Sequence, residues 1–226
     1  DAAVVVLTMD LANPFGYGRI VRDGAGEVER IVEQKDATAE EAAITECNSG
    51  FYCFDARALF EALAQVGSDN AQGEFYLTDV LAIARAAGRP VLAYKTDDAE
   101  QCLGVNSRAQ LAEATRVMQR RINEAHMAAG VTMWDPATAY IGPEVTIAAD
   151  VEVLPNVILM GRTAIGEDSL IGPNTRLTDT SVGAGCTVDE TVAVSARLDD
   201  GASCGPRAYL RPGAHLCEGA KAGTHV

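Results

Sequence analysis

The chain has 226 residues, which is enough for one large domain or two modest ones. Apolar residues make up 48% of it and aromatic residues only 5%, so the composition allows a sizeable core packed from small side chains. The formal net charge is −14 and no basic tract occurs, which argues against binding to nucleic acid or to an anionic membrane surface. No stretch reaches the roughly 18 apolar residues of a transmembrane helix, so we expect no membrane insertion.

The cysteine pattern favours a reducing compartment. The six cysteines are Cys47, Cys53, Cys102, Cys186, Cys204 and Cys217. They form no C-x-x-C pair and have no spacing typical of a zinc finger, and most have small or apolar neighbours. We therefore expect reduced, packing cysteines in a cytoplasmic protein, with a disulfide framework as the alternative.

The first half alternates strand and helix patterns, which is typical of an α/β domain. The predicted strands and hairpin are 2–9, 18–34 (with its tip at 23–26), 48–55 and 90–94. The predicted helices are 56–66 and 79–87. Thr78 is a candidate N-cap of the second helix and Gly88 its C-terminal stop.

A long helix is predicted over 107–129, capped by Ser107 and closed by Gly130. Its apolar stripe is Leu111, Ala114, Met118, Ile122, Ala125 and Ala129. Most of the remaining surface is polar, which suggests an arm between domains that protein covers only in part. The alternative is a surface helix that packs on one domain.

The second half has a six-residue period. Its apolar positions are Ile141, Ile147, Val153, Leu159, Ile165, Ile171 and Leu177, then Val182, Val188 and Val194, and finally Leu198, Cys204, Leu210 and Leu216. This step fits neither a helix nor a lone strand, but it fits a β-helix in which three short strands make one coil and the apolar residue faces the axis. We therefore expect domains at 1–106 and 131–226 with a linker helix over 107–130.

Five strings in the first 108 residues carry a family resemblance. They are GYGRI (16–20), IVEQKD (31–36), ECNSG (46–50), NAQGEFYLTD (70–79) and GVNSR (104–108). Their order, followed by hexapeptide repeats, resembles the bifunctional N-acetylglucosamine-1-phosphate uridyltransferase / glucosamine-1-phosphate acetyltransferase family. The string NAQGEFYLTD is the most specific of the five, and the resemblance covers essentially the whole chain.

The resemblance implies two activities. An α/β Rossmann-like nucleotidyltransferase domain, of which the chain holds the C-terminal half only, would join UTP to N-acetylglucosamine-1-phosphate with Mg²⁺. A left-handed parallel β-helix would carry acetyl transfer from acetyl-CoA to glucosamine-1-phosphate. Members of the family assemble as homotrimers through their β-helices.

The resemblance also implies roles for five residues. Gly18 matches a glycine whose backbone lies against the sugar, Glu33 a glutamate that binds sugar hydroxyls, and Asn48 an asparagine that binds the N-acetylglucosamine moiety. Asn106 matches an asparagine that holds Mg²⁺ and faces the product. Arg211, in Leu210-Arg211-Pro212-Gly213, matches an arginine that binds the sugar phosphate of the acetyltransferase site.

Other expected features of the family are missing from these residues. We find no match to its Gly-rich phosphate loop, its main metal aspartate or its catalytic histidine, so no catalytic residue is predicted within the chain. The chain starts at Asp1 without Met and stops at Val226 inside a repeat, so we expect both ends to be cut and the chain alone to be inactive. No role is predicted for Glu74 or Tyr76.

Two alternatives share this architecture. One is another sugar-1-phosphate nucleotidyltransferase with a β-helix tail, such as a glucose-1-phosphate adenylyltransferase, which the strings NAQGEFYLTD and GVNSR disfavour. The other is a non-catalytic regulatory subunit, which the presence of Glu33, Asn48 and Asn106 disfavours.

Overall fold

The computed structural model describes residues 2–226 and divides into two compact units, Asp1–Asn106 and Ser107–Val226. The α/β pattern predicted from the first half and the β-helix predicted from the second are both confirmed. No helix within residues 2–226 is both long enough and apolar enough to cross a membrane. All six cysteines are free thiols.

The first unit is built on one five-stranded sheet. Its strands are β1 (Val4–Asp10), β2 (Arg19–Arg22), β3 (Val28–Val32), β4 (Glu46–Phe54) and β5 (Val91–Lys95). Its helices are α1 (Ala39–Ala42), α2 (Ala56–Leu63) and α3 (Asp79–Ala86), followed by a short 3₁₀ helix (Ala99–Cys102). The strand order is β3-β2-β4-β1-β5, in which β5 runs parallel to β1 and the other neighbours are antiparallel.

The core of this unit lies between the sheet and helices α2 and α3. Ala58 from α2 and Leu81 and Ala84 from α3 pack in one cluster with Val4 and Ile20 from the sheet. Small alanines let the helices lie close to the sheet, and each fully buried leucine or valine contributes about 1.5 to 3 kcal/mol. The core of this unit is therefore packed from small side chains, as the composition predicted.

The prediction that Thr78 caps α3 is correct in position, but its side chain does not form the capping hydrogen bond. Thr78 does occupy the N-cap position of α3, but its backbone is helical (φ −63°, ψ −24°) and its side chain makes no capping hydrogen bond. A capping side chain normally comes from an extended residue, which aims its oxygen at the first free N–H groups. The Thr78 hydroxyl instead donates a hydrogen bond to Glu33.

In the second unit, α4 (Arg108–Ala128) begins as predicted, since Ser107 Oγ accepts a hydrogen bond from Gln110 N at 3.2 Å. The predicted apolar stripe is wrong in part, because Leu111 and Met118 are more than half exposed. The buried residues of the helix are Val117 and Asn123.

Hydrogen bonds explain which face of α4 is turned inwards. Asn123 Nδ2 donates to the carbonyls of Pro136 (2.7 Å) and Ala139 (2.9 Å), and Gln119 Nε2 donates to Ala139 O at 2.9 Å. Two amide side chains thus tie the helix to the segment before the first coil. The helix packs against the unit to which it belongs.

The rest of this unit is a parallel β-helix. Its strands are β6 (Thr132–Met133), β7 (Tyr140–Ile141), β8 (Thr146–Ile147), β9 (Glu152–Val153), β10 (Ile158–Met160), β11 (Ala164–Ile165), β12 (Leu170–Ile171), β13 (Arg176–Thr178), β14 (Ser181–Val182), β15 (Thr187–Val188), β16 (Val192–Val194), β17 (Arg197–Leu198), β18 (Ser203–Cys204), β19 (Tyr209–Leu210), β20 (His215–Leu216) and β21 (Lys221–Ala222). They form three parallel sheets, β19-β16-β13-β10-β7, β20-β17-β14-β11-β8 and β21-β18-β15-β12-β9-β6. Each coil contributes one strand to each sheet.

The six-residue series predicts the axis of the β-helix with one error. The repeat positions from Ile141 to Leu177 are buried, as predicted. Val194, however, is only half-buried, and the inward residue is Ala193, which pairs with Leu177 below it and Leu210 above it. The inward residues here are therefore spaced by five and five, from Val188 to Ala193 and from Ala193 to Leu198. The predicted series had spacings of six and four, because it placed Val194 between Val188 and Leu198.

Gly166 shows why small residues recur between coils. A Cβ at this position would lie 2.6 Å from the Gly183 carbonyl carbon and 2.7 Å from Ala184 N, both of which are backbone atoms of the next coil. Backbone at that distance cannot move away without breaking the stacking of the coils. A side chain at Gly166 is therefore excluded by contact between coils.

Candidate functional site

Three of the predicted site residues lie side by side because of the strand register. Arg19 of β2 is paired with Val32 of β3 and with Cys47 of β4, both antiparallel. One residue further along each strand, the same register places Gly18 between Glu33 and Asn48. The backbone N of Asn48 donates to Gly18 O at 2.8 Å.

Gly18 is required here by close approach. A Cβ on it would lie 2.9 Å from Ile31 Cγ2, 3.5 Å from Glu33 Oε1 and 3.6 Å from Asn48 Cβ. The space that a side chain would take is already filled by its neighbours. The absence of a side chain on Gly18 therefore allows the Glu33 and Asn48 side chains to lie close together.

The carboxylate of Glu33 is oriented by Thr78, the residue for which the sequence predicted a cap. Thr78 is buried, and its hydroxyl donates to Glu33 Oε1 at 3.1 Å. A carboxylate can accept about four hydrogen bonds, so this contact leaves most of its capacity open. The sequence did not indicate this role of Thr78, although Thr78 lies in NAQGEFYLTD, the most specific string of the chain.

Tyr52 is a further member of the cluster that the sequence did not indicate. It lies four residues after Asn48 on β4, and the Asn48 side chain is hydrogen-bonded to it. Burial raises the pKa of Tyr52 to about 12, and the charge of Glu33 adds to the shift, while the bond with Asn48 acts against it. The phenol is therefore a neutral hydrogen-bonding group beside Asn48 at physiological pH.

Arg19 holds the turn that contains Gly18. It is almost fully buried, and its guanidinium donates to Tyr17 O and, at 2.7 Å, to Gln34 Oε1. Gln34 Oε1 also accepts from Gly16 N at 3.0 Å. One arginine thus ties the turn to the residue next to Glu33.

The string 70–79 is hydrogen-bonded to Asp36, three residues after Glu33. Asp36 Oδ1 accepts from Ala71 N at 2.8 Å, and Tyr76 Oη accepts from Gln72 Nε2 at 2.9 Å. Burial, together with the charges of Asp36 and Glu33, raises the pKa of Tyr76. Glu74 closes the same loop through contacts with Asn70 and Gln72.

Asn106 approaches the turn at Tyr17. The Tyr17 hydroxyl accepts from Gly104 N at 3.0 Å, and Asn106 Nδ2 lies 3.9 Å from the position of a Cβ on Gly104. Since Tyr17 is adjacent to Gly18, the strings 104–108 and 16–20 meet here. The first unit thus contains four of the five predicted site residues on neighbouring segments.

The residues near Asn106 do not complete a Mg²⁺ centre. Mg²⁺ is usually held by one or two carboxylates together with substrate phosphates and water. Asn106 offers one amide oxygen, and among residues 2–226 no group of three His, Cys, Asp or Glu side chains with metal-binding geometry surrounds it. Asn106 fits as a single ligand of such an ion.

Arg211 belongs to the second unit. It follows β19, its side chain is exposed, and its carbonyl accepts from Ala214 N at 2.9 Å to close the turn at Pro212-Gly213. A guanidinium on a rigid coil can make a bidentate contact to a phosphate, as predicted for this residue.

Comparison with known proteins assigns the family. A family model described as nucleotidyl transferase matches residues 1–135. The chain belongs to the nucleotidyl transferase family. It is also 50% identical over 224 residues to the bifunctional protein GlmU of Lactobacillus johnsonii, a match that covers 99% of this chain and 49% of that protein.

Two further relatives bear the same name. The bifunctional protein GlmU of Lactobacillus delbrueckii subsp. bulgaricus is 51% identical over 224 residues, which are 99% of this chain and 49% of that protein. That of Halalkalibacterium halodurans is 48% identical over 226 residues, which are 100% of this chain and 50% of that protein. The chain thus spans about half the length of the curated relatives that it matches.

Proposed function

We propose that the first unit forms the sugar side of a site that joins UTP to N-acetylglucosamine-1-phosphate, yielding UDP-N-acetylglucosamine and pyrophosphate. The observation that carries the proposal is the cluster of Gly18, Glu33 and Asn48 in a nucleotidyl transferase domain. Mg²⁺ is part of the proposal, with the Asn106 amide oxygen as one ligand.

Each residue of the cluster has a distinct task in this proposal. The Glu33 carboxylate accepts hydrogen bonds from two sugar hydroxyls, while Thr78 keeps it in one orientation. The Asn48 amide both donates and accepts, which suits the N-acetyl group. Gly18, which has no side chain, lets the Glu33 and Asn48 side chains lie close together so that both can contact the same sugar. Nucleotidyl transfer depends mainly on such positioning and on neutralising the phosphates.

Replacing Glu33 tests the sugar contact. In the full-length protein, Glu33→Gln keeps the size of the side chain but removes its charge, and a hydrogen bond to a charged group is worth about 1.5 to 3 kcal/mol. We expect KM for N-acetylglucosamine-1-phosphate to rise about 10- to 100-fold, with KM for UTP little changed. Glu29→Gln, an exposed glutamate on β3, is the matched control. Equal rises in both KM values would overturn the role of Glu33.

Replacing Asn106 separates the two proposed activities. Asn106→Ala should strongly reduce uridyl transfer, because the metal ligand is lost, and leave acetyl transfer nearly intact, because separate sites behave independently. Both rates are measured on the same preparation of the full-length protein. An equal loss of both activities would indicate general unfolding and contradict the assignment.

The second proposed activity is acetyl transfer from acetyl-CoA to glucosamine-1-phosphate in the β-helix, with Arg211 binding the sugar phosphate. Lysine cannot reproduce the bidentate contact, so Arg211→Lys should raise KM for glucosamine-1-phosphate and leave uridyl transfer unchanged. The proposal includes a cytoplasmic homotrimer that associates through its β-helices. Sedimentation of the full-length protein tests the trimer.

The two alternatives differ in what they predict. A glucose-1-phosphate adenylyltransferase would prefer ATP to UTP, and a regulatory subunit would transfer no nucleotide. The bifunctional relatives do not favour either. A comparison of UTP with ATP as nucleotide donor for the full-length protein decides among the three.

A further inference from the structure

An acid, a histidine and a cysteine meet on the outer surface of the β-helix. One ligand atom each from Asp199, His215 and Cys217 lies within 4.8 Å of the others. The three side chains come from two adjacent coils. Asp199 directly follows β17, His215 lies on β20, and Cys217 directly follows β20. None of them belongs to the site proposed above.

The coil register brings these side chains together. β17 pairs with β20 in parallel, with Arg197 opposite His215 and Leu198 opposite Leu216. Asp199 and Cys217 are the next residues on the two coils and are therefore also neighbours. Since successive side chains of a strand point to opposite faces, the leucines face the axis and the polar side chains face out.

The donor types select a class of metal. A thiolate sulfur, an imidazole nitrogen and a carboxylate oxygen are the three donors that Zn²⁺ accepts in proteins, and they leave a fourth tetrahedral position for water. Mg²⁺ and Ca²⁺ prefer oxygen ligands, so two of the three donors would be unsuitable for them. We propose that Asp199, His215 and Cys217 form a zinc site on the β-helix.

The neighbouring contacts pre-arrange this site. Arg197 Nε donates to Asp199 Oδ1 at 2.7 Å, which leaves Oδ2 to face His215 Nε2, also at 2.7 Å. Zinc takes the place of the Asp199–His215 hydrogen bond, while Arg197 continues to hold the other carboxylate oxygen. A partner that orients a ligand in this way is typical of metal centres.

Zinc binding exchanges the proton of the thiol ligand for the metal ion. The Cys217 thiol loses its proton to solvent as sulfur binds zinc, and His215 binds through a neutral ring nitrogen. Arg197, which is paired with Asp199, repels the cation. The site therefore carries one negative charge from Asp199 and one from Cys217, partly offset by Arg197.

Zinc and cobalt titrations of the full-length protein, reduced and freed of metal by a chelator, test the proposal. We expect one Zn²⁺ per chain in competition with a chromogenic chelator, and a sulfur-to-cobalt charge-transfer band when Co²⁺ is added. Cys217→Ser should abolish the band. Cys217→Ser and His215→Ala should each weaken zinc binding at least about tenfold, because even partners outside the ligand set are worth 10- to 100-fold.

Two matched variants serve as controls. Cys53→Ser removes another exposed cysteine, and Glu218→Gln removes an exposed acid next to Cys217, and both should bind zinc like the parent protein. Zinc binding unaffected by Cys217→Ser, or no stoichiometric binding by the parent, would overturn the proposal. Uridyl and acetyl transfer are measured in parallel, so a failure of the zinc site is distinguishable from a failure of the proposed function.

Discussion

The two units bury polar groups in different ways. In the first unit, charged side chains enter the interior: Arg19 is 2% exposed and Glu46 is 8% exposed. In the β-helix, the buried polar residues are hydroxyls: Thr163, Ser169, Thr175, Thr180 and Thr191. Buried charges need several partners that converge from distant segments, whereas a hydroxyl is satisfied by one or two nearby backbone groups.

The hydroxyls of the β-helix bond locally and repeat from coil to coil. Thr163 Oγ1 donates to Met160 O at 2.7 Å and accepts from Thr180 N at 3.3 Å, and Thr180 Oγ1 accepts in turn from Ala196 N at 3.4 Å. Each threonine thus links its own corner to the next coil. The β-helix needs no charged group in its core for this.

The largest expected effect comes from placing a charge on the axis of the β-helix. Ile165 is 3% exposed, and Asp there would be buried without a partner. Ile165→Asp should destabilise the second unit by several kcal/mol. The single tryptophan, Trp134, lies in this unit, so its fluorescence during urea unfolding reports the loss. Thr146→Asp, at an outward position of the same sheet, should cost little. Similar losses from both variants would contradict the inward assignment of Ile165.

A smaller effect is expected from the buried charge of the first unit. Glu46 accepts hydrogen bonds from Arg22 (2.6 and 2.8 Å) and from Thr8 (2.8 Å). Burial by itself raises the pKa of Glu46, but these bonds and the nearby cations outweigh burial and hold the pKa below its ordinary value of 4.5. Hydrogen bonds to a charged group are worth about 1.5 to 3 kcal/mol, which Glu46→Gln should largely remove.

The depressed pKa fixes the direction of the pH dependence. A carboxyl whose folded pKa is lower than its unfolded pKa stabilises the protein above the unfolded value, and the contribution is lost as the pH falls through the folded pKa. The protection factors of peptides covering 46–54, corrected for the intrinsic exchange rate at each pH, should therefore fall below about pH 4.5 in the parent and depend less on pH in Glu46→Gln. Glu29→Gln should retain the parent's profile, and a flat profile in the parent would contradict the pairing.

The smallest effect is expected at Thr78. Thr78→Val keeps the shape of the side chain but removes the hydroxyl that orients Glu33, and a neutral hydrogen bond is worth about 0.5 to 1.5 kcal/mol. We expect KM for N-acetylglucosamine-1-phosphate to rise about 3- to 10-fold. Thr78→Ser, which retains the hydroxyl, should restore most of the affinity. An unchanged KM in Thr78→Val would show that Glu33 does not need this contact.

The predictability of each unit follows from the range of its contacts. Each coil of the β-helix touches its nearest neighbours, so the six-residue period is visible in the sequence itself. The one wrong position in the predicted series is Val194, since Ala193 is the residue that faces the axis. At this point the spacing between inward residues changes from six to five, and two small apolar residues are adjacent in the sequence. At such a position the sequence leaves the choice open, and the pairing with Leu177 decides it.

The sequence suggests candidate members of the site but does not show the contacts among them. Gly18, Glu33, Asn48 and Asn106 were identified from family strings. The role of Thr78 was missed because it lies 45 residues from Glu33, and local sequence favoured a helix cap. Tyr52 was missed because burial, which raises its pKa, is a property of the folded strand.

The sequence by itself determined the α/β order of the first half, the hexapeptide coils of the second, and the residue types available to each site. These follow from short-range patterns of apolar, small and capping residues. The tertiary structure alone decided that Thr78 orients Glu33, that α4 buries Asn123 in place of Leu111, and that Asp199 meets His215 and Cys217. Those contacts depend on strand register and on the packing of distant segments, which no local pattern specifies.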